Sequence, residues 1–243
     1  MDDLCRSENS RYGFRVANPA IKPENIYNME VGFDKTFFKI LRTELSFYYS
    51  AGYDFMFMIS TSDSVNLGYT IAPIYHVTNI SKVNIFGIET DVSSPIGKYI
   101  TAFFNYTFNH STIGDFKTNT EADRDLEGKF LPDVPMHKFS TGINMLTQYG
   151  NLSIAGKYVG ECWVKDDNTI DYIYLMTDKY SSYFTVDIKL WQKIKQFEFS
   201  IDIDNLFNKV YINNRGYKSP GRMVFGKMVF QFKNKVNKKS RID

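Results

Sequence analysis

The side chains best suited to covalent or metal chemistry are few and widely spaced. Two cysteines, Cys5 and Cys162, and three histidines, His76, His110 and His137, stand far apart. None falls at a zinc-ligand spacing, and two distant cysteines are too few for a disulfide framework, so they read as two free thiols. Asp202 and Asp204, two residues apart, form a carboxylate pair, but the alternation around them makes both members of one polar strand face. No nucleophile elbow, His-Glu-x-x-His pair or phosphate-cradling glycine loop occurs. The expectation is a chain with no catalytic residues, no metal site and no cofactor. Recognition is a better use of its side chains. Aromatic, acidic and basic residues gather in long polar stretches: Tyr69, Asp115, Arg124, Trp163, Asp166, Asp167, Tyr172, Tyr174, Tyr211 and Arg215. Aromatic rings can cover an apolar or aromatic chelate, and arginines can pair with its anionic groups. Taken singly, each of these is equally an ordinary solvated loop residue.

Loops recognise ligands when a rigid scaffold presents them, and the scaffold is written in the hydropathy. Phe197, Phe199, Ile201 and Ile203 alternate with Glu198, Ser200, Asp202 and Asp204. Adjacent side chains of a strand point to opposite faces, so one face is apolar and the other charged. The same period of two recurs in Phe184–Leu190 and Phe139–Met145 and, with Phe103 intruding on the polar face, in Ile100–Phe108. Nine strands are expected, at 25–35, 42–59, 75–93, 98–111, 135–148, 151–165, 181–191, 196–206 and 222–232. No helical stripe interrupts them. The links alternate in length, with short ones near 36–41, 94–97, 149–150 and 192–195. Long polar ones lie near 60–74, 112–134, 166–180 and 208–221. Many of the segments reach the 9 to 11 residues, roughly, that a tilted membrane strand needs. Short turns on one side and long loops on the other are the plan of an outer-membrane barrel.

Composition narrows the classes. The 243 residues, 43% hydrophobic and 16% aromatic, can form a folded unit. A net charge of +2, from 29 basic and 27 acidic residues, argues against a nucleic-acid partner. No stretch approaches the roughly 20 apolar residues of a membrane helix. The first six residues hold acid and no apolar run, so no export signal is read there. Alternation alone fits either a soluble β-sandwich, apolar faces meeting in a core, or a membrane barrel, apolar faces meeting lipid. Strand length, the unequal links and 21 phenylalanines with 17 tyrosines favour the barrel. Tyr27, Tyr49, Phe108, Tyr158, Trp163, Tyr183, Trp191 and Phe232 stand near strand ends, where an interfacial girdle is expected.

Five short motifs then occur in a fixed order. Asn18-Pro19-Ala20-Ile21-Lys22-Pro23-Glu24 precedes Met29-Glu30-Val31-Gly32; Ile85-Phe86-Gly87-Ile88-Glu89 follows. Next come Leu131-Pro132-Asp133-Val134-Pro135-Met136-His137-Lys138 and Asn205-Leu206-Phe207-Asn208-Lys209-Val210-Tyr211. Pro220-Gly221-Arg222 leads into a last strand ending at Phe232. This series resembles the barrel signature of TonB-dependent outer-membrane receptors. It departs from that pattern in having no arginine before Gly87. The proline and asparagine positions have roles in the fold, since proline holds a segment extended and asparagine tolerates turn conformations.

The resemblance implies an all-β fold, an antiparallel transmembrane barrel segment of about nine strands. These would be the C-terminal part of a barrel of about 22, with short periplasmic turns and long extracellular loops. It implies residues 1–232 as a partial barrel domain and 233–243 as a disordered basic tail. It places the chain in the bacterial outer membrane, among membrane lipid and lipopolysaccharide. The implied partners are a plug domain and N-terminal barrel strands not found in this sequence, the TonB system, and a small-molecule ligand. That ligand is most often a ferric siderophore, with haem, cobalamin or glycans as alternatives. Nine strands are an odd number, so the chain reads as a fragment of a receptor, unable to transport alone. A passive pore or adhesion barrel, and a soluble β-rich binding domain, are the competing functions.

Overall fold

The computed structural model describes residues 7–10, 13–68, 70–116, 126–172, 175–214 and 217–232. Among these no helix forms. The strands are β1 (Glu8–Ser10), β2 (Gly13–Val16), β3 (Asn25–Phe37), β4 (Leu41–Asn66), β5 (Ile71–Ile96), β6 (Ile100–Phe116), β7 (His137–Leu146) and β8 (Asn151–Val159). They continue with β9 (Cys162–Trp163), β10 (Lys179–Tyr180), β11 (Tyr183–Ile194), β12 (Phe197–Asp204), β13 (Ile212–Asn214), β14 (Tyr217–Lys218) and β15 (Met223–Phe230). Nine long strands, β3-β4-β5-β6-β7-β8-β11-β12-β15, pair antiparallel in chain order. Among the described residues β3 pairs only with β4 and β15 only with β12, so the sheet is open at both edges.

Register carries the alternation across the whole sheet. Ile203 stands beside Ile188 and Val224, and Leu190 beside Ile201 and Leu152. One continuous face therefore presents Phe47, Phe86, Phe104, Ile143, Leu190, Phe199 and Ile201. No other described sheet covers it: Phe199 is 44% and Ile201 51% exposed. A soluble sandwich would cover such a face with a second sheet, yet the other described sheets are two-stranded loop hairpins, β9–β10 and β13–β14. This is the surface a lipid-facing barrel wall needs. The opposite face is polar and laced with ion pairs: Arg42 with Glu44 at 2.6 Å, Lys157 with Asp187 at 2.7 Å, Lys189 with Asp202 at 3.2 Å. Asp202, half of the carboxylate pair, is thus held by a lysine.

Glycines on this wall make room for aromatic rings. Gly87 stands opposite Tyr48. Its missing Cβ lets the phenol cross β5, where the Tyr48 hydroxyl accepts a hydrogen bond from Asn109 at 3.0 Å. Phe103, the apparent intruder on the polar face, lies over its partner Gly142 in the same way.

The structure differs from the sequence reading in several places. The link expected at 60–74 is mostly strand: β4 and β5 run on to a tight turn closed by the Leu67 N–H donating to Thr70 at 2.9 Å. At about 3.3 Å per residue, 26-residue strands are far longer than a bilayer core of about 30 Å requires. Their outer part, Ser60-Thr61-Ser62-Asp63-Ser64, carries no apolar stripe in sequence, and Ser60 and Ser64 pair with Tyr75 and Pro73. The strand expected at 151–165 stops at Val159, and Cys162–Trp163 joins Lys179–Tyr180 in a separate hairpin. Trp191 and Tyr183 pair with Ser200 and Val159 on the polar register. They are one position off the apolar face and so do not belong to a lipid-facing girdle.

Residues 17–24 form a strap. β2 pairs parallel with β5 on one side, whereas β3 pairs with the far edge of β4, so the chain between them crosses both strands. It is tied at each crossing. The Asn18 amide donates to the Val77 carbonyl at 2.9 Å, and the Lys22 N–H donates to Asn79 Oδ1 at 2.7 Å. A bulge in β4 leaves the Met56 N–H free of the ladder, and Glu24 accepts its hydrogen bond at 2.9 Å.

Candidate functional site

The long-link end of the sheet is shaped by residues that end strands. Asn205 follows β12 in the left-handed region (φ 54°). Its side chain donates to the Lys209 carbonyl at 2.7 Å and accepts from the Lys209 N–H at 2.9 Å. The Leu206 N–H reaches back to Val186 at 2.7 Å. Asn208 (φ 56°) accepts the Arg222 N–H at 2.8 Å and packs against Gly221, which follows Pro220. Phe207 and Phe232 point outward, at 72% and 86% exposed, with Phe232 edge-on to Phe230. Glu89 lies on the polar face opposite Ser46. Asn205, Asn208 and Gly221, like Asn18, Lys22, Glu24 and Gly87, make contacts that hold the fold. His137 begins β7, its ring 2.9 Å from the Tyr106 hydroxyl.

The candidate recognition residues divide into three groups. Tyr69, Arg124, Tyr174 and Arg215, and Cys5 with them, lie outside the described residues. Asp115 is ion-paired with Lys82 at 2.6 Å. Asp167 is nearly buried in the turn that also holds Asp166, accepting from the Thr169 N–H at 3.1 Å and hydroxyl at 2.8 Å. Tyr172 is 71% exposed beside it. The remaining two, Trp163 and Tyr211, are brought into one neighbourhood. Lys179 lies 4.5 Å from the Trp163 ring centroid, and Tyr211 stacks on Tyr183 at 3.8 Å. Because Tyr183 lies on the polar register, the 205–222 link folds over that side of the sheet.

Between them opens a cleft of about 240 Å³ lined by Lys179, Lys209, Lys218, Tyr180 and Tyr211 among others. Three lysines and two tyrosines from the 160–182 and 205–222 links line it. The Lys179 ammonium is paired with Glu161 at 2.5 Å. Such a cleft suits a small ligand bearing several anionic oxygens and a flat or apolar body. Sequence reading found Tyr211 here but none of the three lysines. Their signal was present in the link segments, but nothing in the spacing says that residues 179, 209 and 218 converge. Cys162, at the base of the same hairpin, is a free thiol whose pKa is pushed up to about 11, chiefly by burial and then by Asp133 and Glu161.

The family model for the TonB dependent receptor-like β-barrel matches residues 6–206. No curated protein matches the chain in sequence. Among solved structures it is similar to the copper transporter OprC, at 17% identity and a TM-score of 0.67, over 89% of this chain and 33% of that one. It also resembles the FrpB iron transporter of Neisseria meningitidis (F5-1 variant), at 16% and 0.64, over 91% and 34%. A third is the ferric yersiniabactin uptake receptor FyuA of Yersinia pestis, at 19% and 0.60, over 84% and 29%. The chain spans about a third of the length of these structures.

Proposed function

Because this chain belongs to the TonB dependent receptor-like β-barrel family, we propose that it forms the later strands of an outer-membrane receptor that takes up a scarce nutrient. In this reading residues 1–232 are barrel, and 233–243 are a basic tail. The ligand is an anionic metal complex, a ferric siderophore before haem or cobalamin. A plug and the TonB system couple its passage, as the family implies. The observation that carries the ligand class is the cleft of Lys179, Lys209 and Lys218 with Tyr180 and Tyr211. Carboxylate, hydroxamate or catecholate oxygens are the natural partners of clustered ammonium groups, and the phenol rings offer apolar cover. Neighbours described as iron, copper and ferric yersiniabactin transporters support a metal cargo.

The test is ligand binding and uptake by the receptor containing this chain, with Lys179, Lys209 and Lys218 all changed to Gln. Exposed charge pairs contribute up to about 1 kcal/mol each. The triple variant is therefore expected to weaken binding of ferric citrate or a ferric catecholate by roughly 10- to 100-fold. Unchanged affinity for both of those, and for haem and cobalamin, would remove the cleft from the binding path.

A further inference from the structure

Of the three lysines that line the cleft, Lys179 is the one ion-paired among the described residues. It stands in β10 directly across from Trp163 of β9, so the two side chains share one face of the hairpin. Its ammonium lies 4.5 Å from the Trp163 ring centroid and 2.5 Å from a Glu161 carboxylate oxygen. Neither Trp163 nor Glu161 lines the cleft, whose walls come from within 175–182 and 209–218. The Lys179 side chain therefore leans across the hairpin towards β9, although the residue itself borders the cleft. The β9 side is tied down. The Gly160 N–H donates to the His137 carbonyl at 2.8 Å, and a Cβ on Gly160 would stand only 2.9 Å from that oxygen. Further along, the Trp163 carbonyl accepts the Asp133 N–H at 2.9 Å, and the Val164 N–H donates to the Asp178 carbonyl at 3.0 Å. Glu161 is set between these anchors. The lysine, an ammonium with three donors on a flexible four-carbon stem, is the partner free to turn.

We infer that Glu161 competes with the ligand for Lys179: it holds the ammonium back across the hairpin, and an anionic ligand in the cleft draws it over. Glu161 is then a positioning residue, acting on the ligand through Lys179. Its hold is weak. The two side chains are 31% and 60% exposed, and a pair so exposed is worth up to about fivefold in an equilibrium. The balance follows from charge. Glu161 offers one carboxylate in an open setting, whereas a ligand with several anionic oxygens, lodged between Lys209, Lys218 and Tyr211, offers more. An anion bridging the three lysines also removes the repulsion among them. The fewer anionic oxygens a ligand carries, the less it can take Lys179 over, so Glu161 raises the charge that a ligand needs. This inference rests on the reading of the cleft as the ligand site.

The experiment is a double-mutant cycle on the receptor containing this chain, with ferric citrate and a ferric catecholate as the binding probes. Glu161→Gln keeps the size of the side chain and removes its charge. It is expected to tighten each probe that the parent binds by about threefold to fivefold, a gain that a damaged fold does not produce. In a Lys179→Gln receptor the same change is expected to do nothing, because the residue it acts through is gone. Lys209→Gln/Lys218→Gln is the control for the cleft itself and should weaken binding. Unchanged or weaker binding in Glu161→Gln, with the control still weakened, overturns the inference and leaves the cleft as the ligand site. So does a gain of the same size in the Lys179→Gln background, which would make Glu161 a charge that repels the ligand directly. A control that binds as the parent does, or a parent that binds neither probe, overturns the cleft reading and this inference with it.

Discussion

The thiol of Cys162 shows how this end of the protein treats a reactive group. Burial and the nearby carboxylates of Asp133 and Glu161 disfavour the charged form, and the pKa rises to about 11. The thiolate is the nucleophile, so the fraction able to react near neutral pH drops about 100-fold against an ordinary cysteine. Iodoacetamide should therefore alkylate folded Cys162 about 100-fold more slowly than the unfolded chain at pH 8. The rate should still be climbing as the pH passes 10. A rate that levels off near pH 8.5 would mean that the hairpin does not shield the thiol. His137 and Asp202 have partners within the sheet, one beside the Tyr106 hydroxyl and one with Lys189.

Among the elements, the link after β12 depends on few atoms. Asn205 closes it with two side-chain hydrogen bonds to Lys209 and sits at a positive φ. Asn205→Ala removes both bonds and leaves a residue that resists the left-handed region. The expected cost is about 2 to 4 kcal/mol, read as a lower urea midpoint of the folded chain in lipid or detergent. Asn205→Gly, which relieves the backbone but not the bonds, should recover part of it. This motif was legible in sequence because asparagine at a strand end has a local, physical meaning. The nine strands were legible for the same reason, since alternation is a local property and register follows from it. The outer halves of β4 and β5 were not. Ser60 to Ser64 have no apolar face, and their pairing is decided by partners 9 to 15 residues away, Pro73 and Tyr75. The lysine cleft was hidden more deeply, because Lys179, Lys209 and Lys218 come from separate links that only the folded sheet brings together.

For the molecule as a whole, the decisive feature is the pair of open edges. Among the described residues β3, 13 residues long, and β15, 8 residues long, each have a single neighbour. Unpaired N–H and C=O groups are not tolerated in hydrocarbon, so this sheet needs further strands to enclose a passage. Expressed alone in a strain lacking its own receptors, the chain is expected to restore no uptake of ferric citrate, haem or cobalamin. Growth on any of these as sole source would show that the open sheet can close by itself, for instance by pairing copies edge to edge.

The strap at 17–24 sets a schedule. It lies across β4 and β5 and is tied to Val77, Asn79 and Met56, so it can be laid down only once those two strands have met. Synthesis delivers it before β4 and β5, and assembly fastens it after they have paired. During that interval Asn18 and Glu24 wait without their partners, and a hairpin more than 50 residues long must form beneath them. Residues 17–24 are thus a latch on the finished wall, and its closing marks the point after which β4 and β5 can no longer slide past each other.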